Sequence, residues 1–141
     1  MSNLTINTDG GSRGNPGPAG IGVVIKNDSQ EIIYQLGRTI GKATNNVAEY
    51  SAVISALEWL TQNKEKIKNT QNCNFFVDSA LVANQLNGLW KVKDSNLRTL
   101  IIKIRQLEGE LSLATSYTAI PREKNAEPDT LLNQALDNAS K

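Results

Sequence analysis

The chain contains no histidine and one cysteine, Cys73, and only 5% of its residues are aromatic. Without a second Cys or any His to join it, Cys73 is excluded from a zinc site, and its place in the apolar run NCNFFV reads as a small buried core residue in a reducing compartment. No apolar run approaches the length of a bilayer span, so no membrane partner is expected. The first residues, MSNLTINT, lack a basic region followed by an apolar stretch, so no secretory signal is expected and a cytoplasmic location is. A P-loop is excluded as well, because GGSRGNPG is not followed by Gly-Lys-Ser/Thr. The 15 basic side chains nearly balance the 14 acidic ones, and the net charge of +1 says nothing about a polyanionic partner.

What is present suits one domain over residues 1–141 with a single core. Leu4–Asp9 alternates apolar and polar residues and reads as a strand, followed by a Gly/Pro-rich loop, GGSRGNPGP. Gly20–Lys26 and Glu31–Thr39 read as two further strands of an antiparallel meander. A long helix follows, with Thr44, Asn45 and Asn46 as capable N-caps and Val53, Ala56, Leu57 and Leu60 as its buried stripe. The polar stretch 61–72 reads as a connection. Cys73–Asp78 reads as a fourth strand and Ser79–Leu86 as a short helix. Leu97, Leu100, Ile101, Ile104, Leu107 and Leu111 recur at helical spacing, Leu113–Ile120 reads as a fifth strand, and a last helix starts near Asn125 with Pro128 in its first turn. The order β-β-β-α-β-α-α-β-α makes an α/β domain with a mixed sheet.

Four acids stand where elements begin or end: Asp9, Glu49, Asp78 and Asp129. Glu49 shares a helix face with Val53, Ala56 and Leu60, and Asp129 shares one with Leu132 and Leu136, so both top apolar stripes. Asp9 and Asp78 close the strands INTD and NFFVD. Taken singly, the helix acids also suit buried ion pairs or the helix dipole, and the strand acids suit turn openings. Taken together, in a chain without His, they compose an all-oxygen site for hard divalent cations. Paired ions roughly 3.5–4 Å apart serve in-line attack on a phosphodiester. From Trp90 to Arg105 the chain is basic, with Lys91, Lys93, Arg98, Lys103 and Arg105 against Asp94. On charge alone that window is a solvated helix face; beside a carboxylate site it suits a nucleic-acid face.

The segments DGGSRGNPGPAG, TNNVAEYSAVISAL, VDSALV, NGLWKVK and PREKNAEPDTLLNQAL resemble type 1 ribonuclease H in order and spacing along nearly the whole chain. The resemblance implies a ribonuclease-H-like fold, a five-stranded mixed sheet whose first three strands are antiparallel, flanked by helices. It implies hydrolysis of the RNA strand of RNA–DNA hybrids with two Mg²⁺ ions, Mn²⁺ substituting, leaving 5′-phosphate and 3′-hydroxyl ends. Asp9, Glu49, Asp78 and Asp129 match the family's catalytic, metal-binding carboxylates, and Gly10 falls with the metal site. Gly11, Asn15, Thr44, Asn45, Asn46, Ser79, Trp90, Lys91 and Lys93 match positions that contact the hybrid. A monomer is expected, with no extra hybrid-binding domain.

Three departures from the family pattern stand out. The loop IPREKNAEP lacks the His that many members carry, and Glu123 is a candidate to replace it. Ala80 stands where a Gln often contacts substrate. The connection NGLWKVKDSNL lacks an extra basic helix, which implies fewer phosphate contacts and stronger salt sensitivity. Two other classes compete. A binding module without activity leaves the acids unexplained. A 3′–5′ exonuclease of the wider superfamily ordinarily carries a second acid where Gly11 stands, and a sugar-kinase-like ATPase needs two copies of the fold.

Overall fold

In the computed structural model, which describes residues 2–140, the elements follow the expected order. They are β1 (Ser2–Ser12), β2 (Gly17–Lys26), β3 (Ile32–Ala43), α1 (Asn45–Gln62), β4 (Thr70–Val77), α2 (Ala80–Leu86), α3 (Ser95–Leu111), β5 (Ala114–Ala119) and α4 (Ala126–Ala139). The five strands form one sheet in the order β3-β2-β1-β4-β5. β1 pairs antiparallel with β2, and β2 with β3, while β4 runs parallel to β1 and β5 parallel to β4.

Alternation along β1 sends Leu4 and Ile6 into the main core, where they meet Tyr50, Val53 and Leu57 of α1, Phe75 of β4 and Ile104 of α3. The opposite face of β1 and β2 carries α4. That helix lies very close, because a Cβ on Gly22 would strike the Pro128 carbonyl and one on Gly37 the Leu131 carbonyl. Gly22 is also the cross-strand partner of Asp9, so the close approach brings the first turn of α4 beside that acid.

Several boundaries differ from the sequence reading. The glycine-rich segment is mostly strand: Gly10–Ser12 extend β1, Gly17–Pro18 begin β2, and only residues 13–16 turn. Gly11↔Gly20 and Ser12↔Ala19 continue the ladder, and the Arg13 N–H bonds the Pro18 carbonyl at 2.8 Å. Backbone pairing of this kind needs no side chain, so composition alone reads it as loop. Asp9 therefore stands inside β1 rather than at its end. The connection 61–72 also shrinks, since α1 reaches Gln62, Lys64–Ile67 form a 3-10 turn and β4 starts at Thr70. Thr70 is buried at the foot of the β1–β4 ladder, which recruits polar residues that alone give no strand signal. Finally, Thr44 is the N-cap of α1, its hydroxyl accepting from the Val47 N–H at 3.2 Å, so Glu49 lies in the second turn of the helix rather than at its very start.

Candidate metal and nucleic-acid site

The β1–β4 ladder places the first two acids side by side. Its last pair is Asn7↔Phe76, so Asp9 and Asp78 follow two residues later on adjacent parallel strands, just where the ladder opens. Glu49 reaches the same point from α1, which Gly10 admits close to β1: a Cβ there would strike the Ala48 carbonyl. One carboxylate oxygen from each of Asp9, Glu49 and Asp78 lies within 4.8 Å of the others. Asp129 joins them on the wall of a cleft of about 470 Å³ that also includes Gly10, Gly11, Asn45, Arg122 and Asn133.

Such crowding is unfavourable without a cation. Like charges at that separation repel by roughly 3–4 kcal/mol per pair at an effective dielectric of 20. Burial, first, and then Asp78, Asp129 and Glu49 push the Asp9 carboxyl up to about 8. Burial and Asp78 push Glu49 up to about 7, against a hydrogen bond from Ser79 that favours its ionised form. Asp78 is raised mainly by burial, opposed by the Arg122 guanidinium. Among the described residues no salt bridge reaches Asp9, Glu49 or Asp78; Asp129 has one, a long 3.8 Å contact to the mostly exposed Arg122. Buried ion pairs therefore do not explain the first three acids. A set of oxygen donors that repel one another, with only the mostly exposed Arg122 to oppose them, fits a bound hard dication.

Asp129 is oriented by its own helix. Asn133, one turn on, donates Nδ2 to Asp129 Oδ1 at 3.2 Å, and Arg13 in turn bonds Asn133 Oδ1 at 3.3 Å and pairs with Asp137 at 2.7 Å.

Beside the acids, Asn15, Thr44, Asn45 and Asn46 line a second, polar cleft of about 380 Å³ together with Asp94 and Asn96. The carbonyl ends of two of them are already engaged: Asn15 Oδ1 accepts from the Asn45 N–H at 3.0 Å, and Asn45 Oδ1 from the Ser12 N–H at 2.9 Å. Their Nδ2 groups make no hydrogen bond among the described residues, so this surface offers donors. Ser79 caps α2, its hydroxyl accepting from Val82 at 3.2 Å, next to Asp78. Trp90, Lys91 and Lys93 lie outside both clefts on the exposed connection between α2 and α3, with Trp90 52% exposed. The rest of the basic window divides. Arg98 bonds the Val92 carbonyl and Arg105 the Leu86 carbonyl and Glu108, so these two serve the fold.

Sequence reasoning passed over Arg122, Asn133 and Asn125. Glu123, the candidate substitute for the missing His, does not line the cleft; its neighbour Arg122 does. The 3-10 turn at Arg122–Lys124 sets which side chain of that loop faces the acids, and no sequence pattern fixes its phase. Asn133 had a usable signal, since the i,i+4 spacing from Asp129 puts both on one helix face.

The profile of the reverse transcriptase-like family matches residues 7–135. A bifunctional protein of Mycobacterium tuberculosis is 38% identical over 138 residues, covering 97% of this chain and 36% of that protein. Ribonuclease HI of Halobacterium salinarum is 41% identical over 131 residues, covering 93% of this chain and 63% of that one. The chain thus spans about a third of the mycobacterial relative and under two thirds of the halobacterial one. Among solved structures, LC11-RNase H1, isolated from compost by a metagenomic approach, superposes with a TM-score of 0.93 at 42% identity over 100% of both chains. The same protein has been solved in complex with an RNA/DNA hybrid, matching at a TM-score of 0.91 and 42% identity over 98% of this chain and 99% of that one.

Proposed function

The chain belongs to the ribonuclease HI family, and from that premise we propose that it hydrolyses the RNA strand of RNA–DNA hybrids, leaving 5′-phosphate and 3′-hydroxyl ends. The observation that carries the proposal is the meeting of Asp9, Glu49 and Asp78 within 4.8 Å, with no salt bridge to any of the three among the described residues and with Asp129 on the same cleft wall. These four would hold two Mg²⁺ ions, with Mn²⁺ as substitute, and the glycine at position 10 would let α1 and substrate approach the ions. When bound, such ions supply Lewis acidity for the attacking water and for the leaving oxygen.

The chain's own residues account for the rest. Glu49, lifted to about 7, and Asp9, lifted to about 8, are partly protonated near neutrality, so cation binding displaces protons from both. The hybrid is recognised by its sugar. Asn15 and Asn45, with their acceptor ends engaged inside the protein, present Nδ2 donors that suit 2′-hydroxyl oxygens and minor-groove acceptors. Gly11 leaves room beside Asn45, Asn46 joins the two asparagines toward the minor groove, and Thr44 and Ser79, with Asn15, add contacts to phosphates. Trp90 offers a stacking or packing face, with Lys91 and Lys93 beside it for DNA-strand phosphates. The protein would act as a monomer, and a reducing, cytoplasmic setting suits the buried free thiol of Cys73.

A gel assay tests the reading. Hybrid, RNA duplex, DNA duplex and each single strand are incubated with Mg²⁺, Mn²⁺ or EDTA. Cleavage confined to the RNA strand of the hybrid, and abolished by EDTA, is expected. Metal-independent cutting, or cutting of DNA duplex, would overturn it.

A further inference from the structure

Asn125 precedes α4, where an asparagine side chain ordinarily accepts from the helix's own first N–H groups. It makes no such bond. Its side chain is turned instead onto β1, in a residue only 1% exposed. Nδ2 donates to the Thr8 carbonyl at 2.9 Å, and Oδ1 accepts from Asn7 Nδ2 at 2.9 Å. Forgoing the cap leaves the first N–H groups of α4 without the side-chain acceptor that ordinarily stabilises a helix start. A buried amide left without partners would be unfavourable, so the side chain is satisfied only while α4 sits against β1.

The two ends of this contact are adjacent to the chemistry. Thr8 immediately precedes Asp9 and is the first β1 residue beyond the ladder with β4. Asn125 stands one helical turn before Asp129. The amide therefore ties the peptide that carries Asp9 to the start of the helix that carries Asp129. The nearby Lys26–Glu127 pair, 2.7 Å long, also fastens α4 to the sheet, but it sits at the surface, with the Glu127 side chain 54% exposed. Contacts of that kind contribute little and do not hold a fixed geometry.

We propose that Asn125 is a positioning residue: by latching the Asp9 peptide to the head of α4 it fixes the separation of Asp9 and Asp129, and with it the affinity of the cleft for a divalent cation. The inference rests on the metal-dependent reading above, yet its first readout does not require cleavage.

The test compares Asn125→Ala and Asn125→Ser with the wild type and with Glu127→Gln, which removes the surface pair alone. Serine at this position can cap the helix while lacking the reach of the amide, so this variant keeps the fold measurable where alanine does not. Calorimetric titration with Mn²⁺, a thermal melt and steady-state cleavage are recorded for each. The folded Asn125 variants are expected to bind Mn²⁺ about tenfold more weakly, in line with other residues that orient metal ligands. They should also lose kcat by a similar factor at unchanged KM, with Asn125→Ser melting close to the wild type. Glu127→Gln should leave the isotherm and kcat unchanged. A wild-type isotherm in a folded Asn125 variant, or an equal loss in Glu127→Gln, would overturn the latch. If the wild type binds Mn²⁺ but cuts no hybrid, the reaction reading fails and the isotherms alone still decide the latch.

Discussion

Replacing Asp9 with Asn should make the metal-free protein more stable and remove its metal-dependent hydrolysis. Asp9 is 7% exposed and its carboxyl is lifted from 3.8 to about 8, chiefly by burial and then by Asp78. Between those two values the folded state holds a proton that the unfolded state has released. Stability therefore falls as pH rises through that window, and the full cost is present above about pH 8. At about 1.4 kcal/mol per pH unit, a displacement of this size sets a ceiling of roughly 5–6 kcal/mol. The cleft is open to water, so an effective dielectric nearer 20 reduces the expected gain from Asp9→Asn to about 2–3 kcal/mol. For a domain of this size that raises Tm by roughly 6–9 °C. The assay is a calorimetric melt of both proteins in EDTA at pH 5 and pH 8. The gap should widen toward pH 8, and saturating Mg²⁺ should raise the wild-type Tm much more than that of the variant. An Asp9→Asn protein that melts at or below the wild type at pH 8 in EDTA would refute the electrostatic reasoning. Substantial residual Mg²⁺-dependent cleavage in the same variant would mean that the acid is misassigned.

Arg122→Ala removes the cation that opposes the rise of Asp78, so the acid limb of the kcat/KM profile should move to higher pH; because the Arg122 side chain is 78% exposed, Tm should stay within about 1 °C, and an unmoved limb would count against its role. Ala80→Gln, at the exposed start of α2, should add one hydrogen bond to the hybrid, worth about 1 kcal/mol or roughly a fivefold lower KM; an unchanged KM would sink the idea of a missing contact. Lys91→Ala combined with Lys93→Ala should weaken hybrid binding and reduce the slope of log affinity against log salt by roughly 2, about 0.9 per phosphate contact; an unchanged slope would remove these lysines from the binding face.

The parts legible in the sequence were those where side chains carry the pattern. The stripe of α1, the leucine and isoleucine spacing of α3 and the alternation of Leu4 and Ile6 each report burial directly. The acids were legible because carboxylates bordering apolar runs have few structural reasons to be there. Backbone-driven features were not. The extension of β1 and β2 through the glycines, and the entry of Thr70 into β4, depend on a partner strand already being present. The same holds for site geometry. Arg122 faces the cleft because a 3-10 turn sets its direction, and Asn125 leaves its cap because β1 offers it two partners from across the chain. Such choices are settled by tertiary contacts, which local spacing does not encode.

The glycines beneath α4 carry a consequence for how the molecule is made. The trough formed by Gly22 and Gly37 belongs to β2 and β3, while the helix that fills it is translated about a hundred residues later. In chain order the strands that form the groove, and three of the four acids, all precede Asp129. Gly22 and Gly37 offer α4 a backbone surface with no side chain in the way, and Asp129 reaches the cleft only on that helix. Chain order therefore adds the fourth acid, and the helix that carries it, after every strand of the sheet and the other three acids.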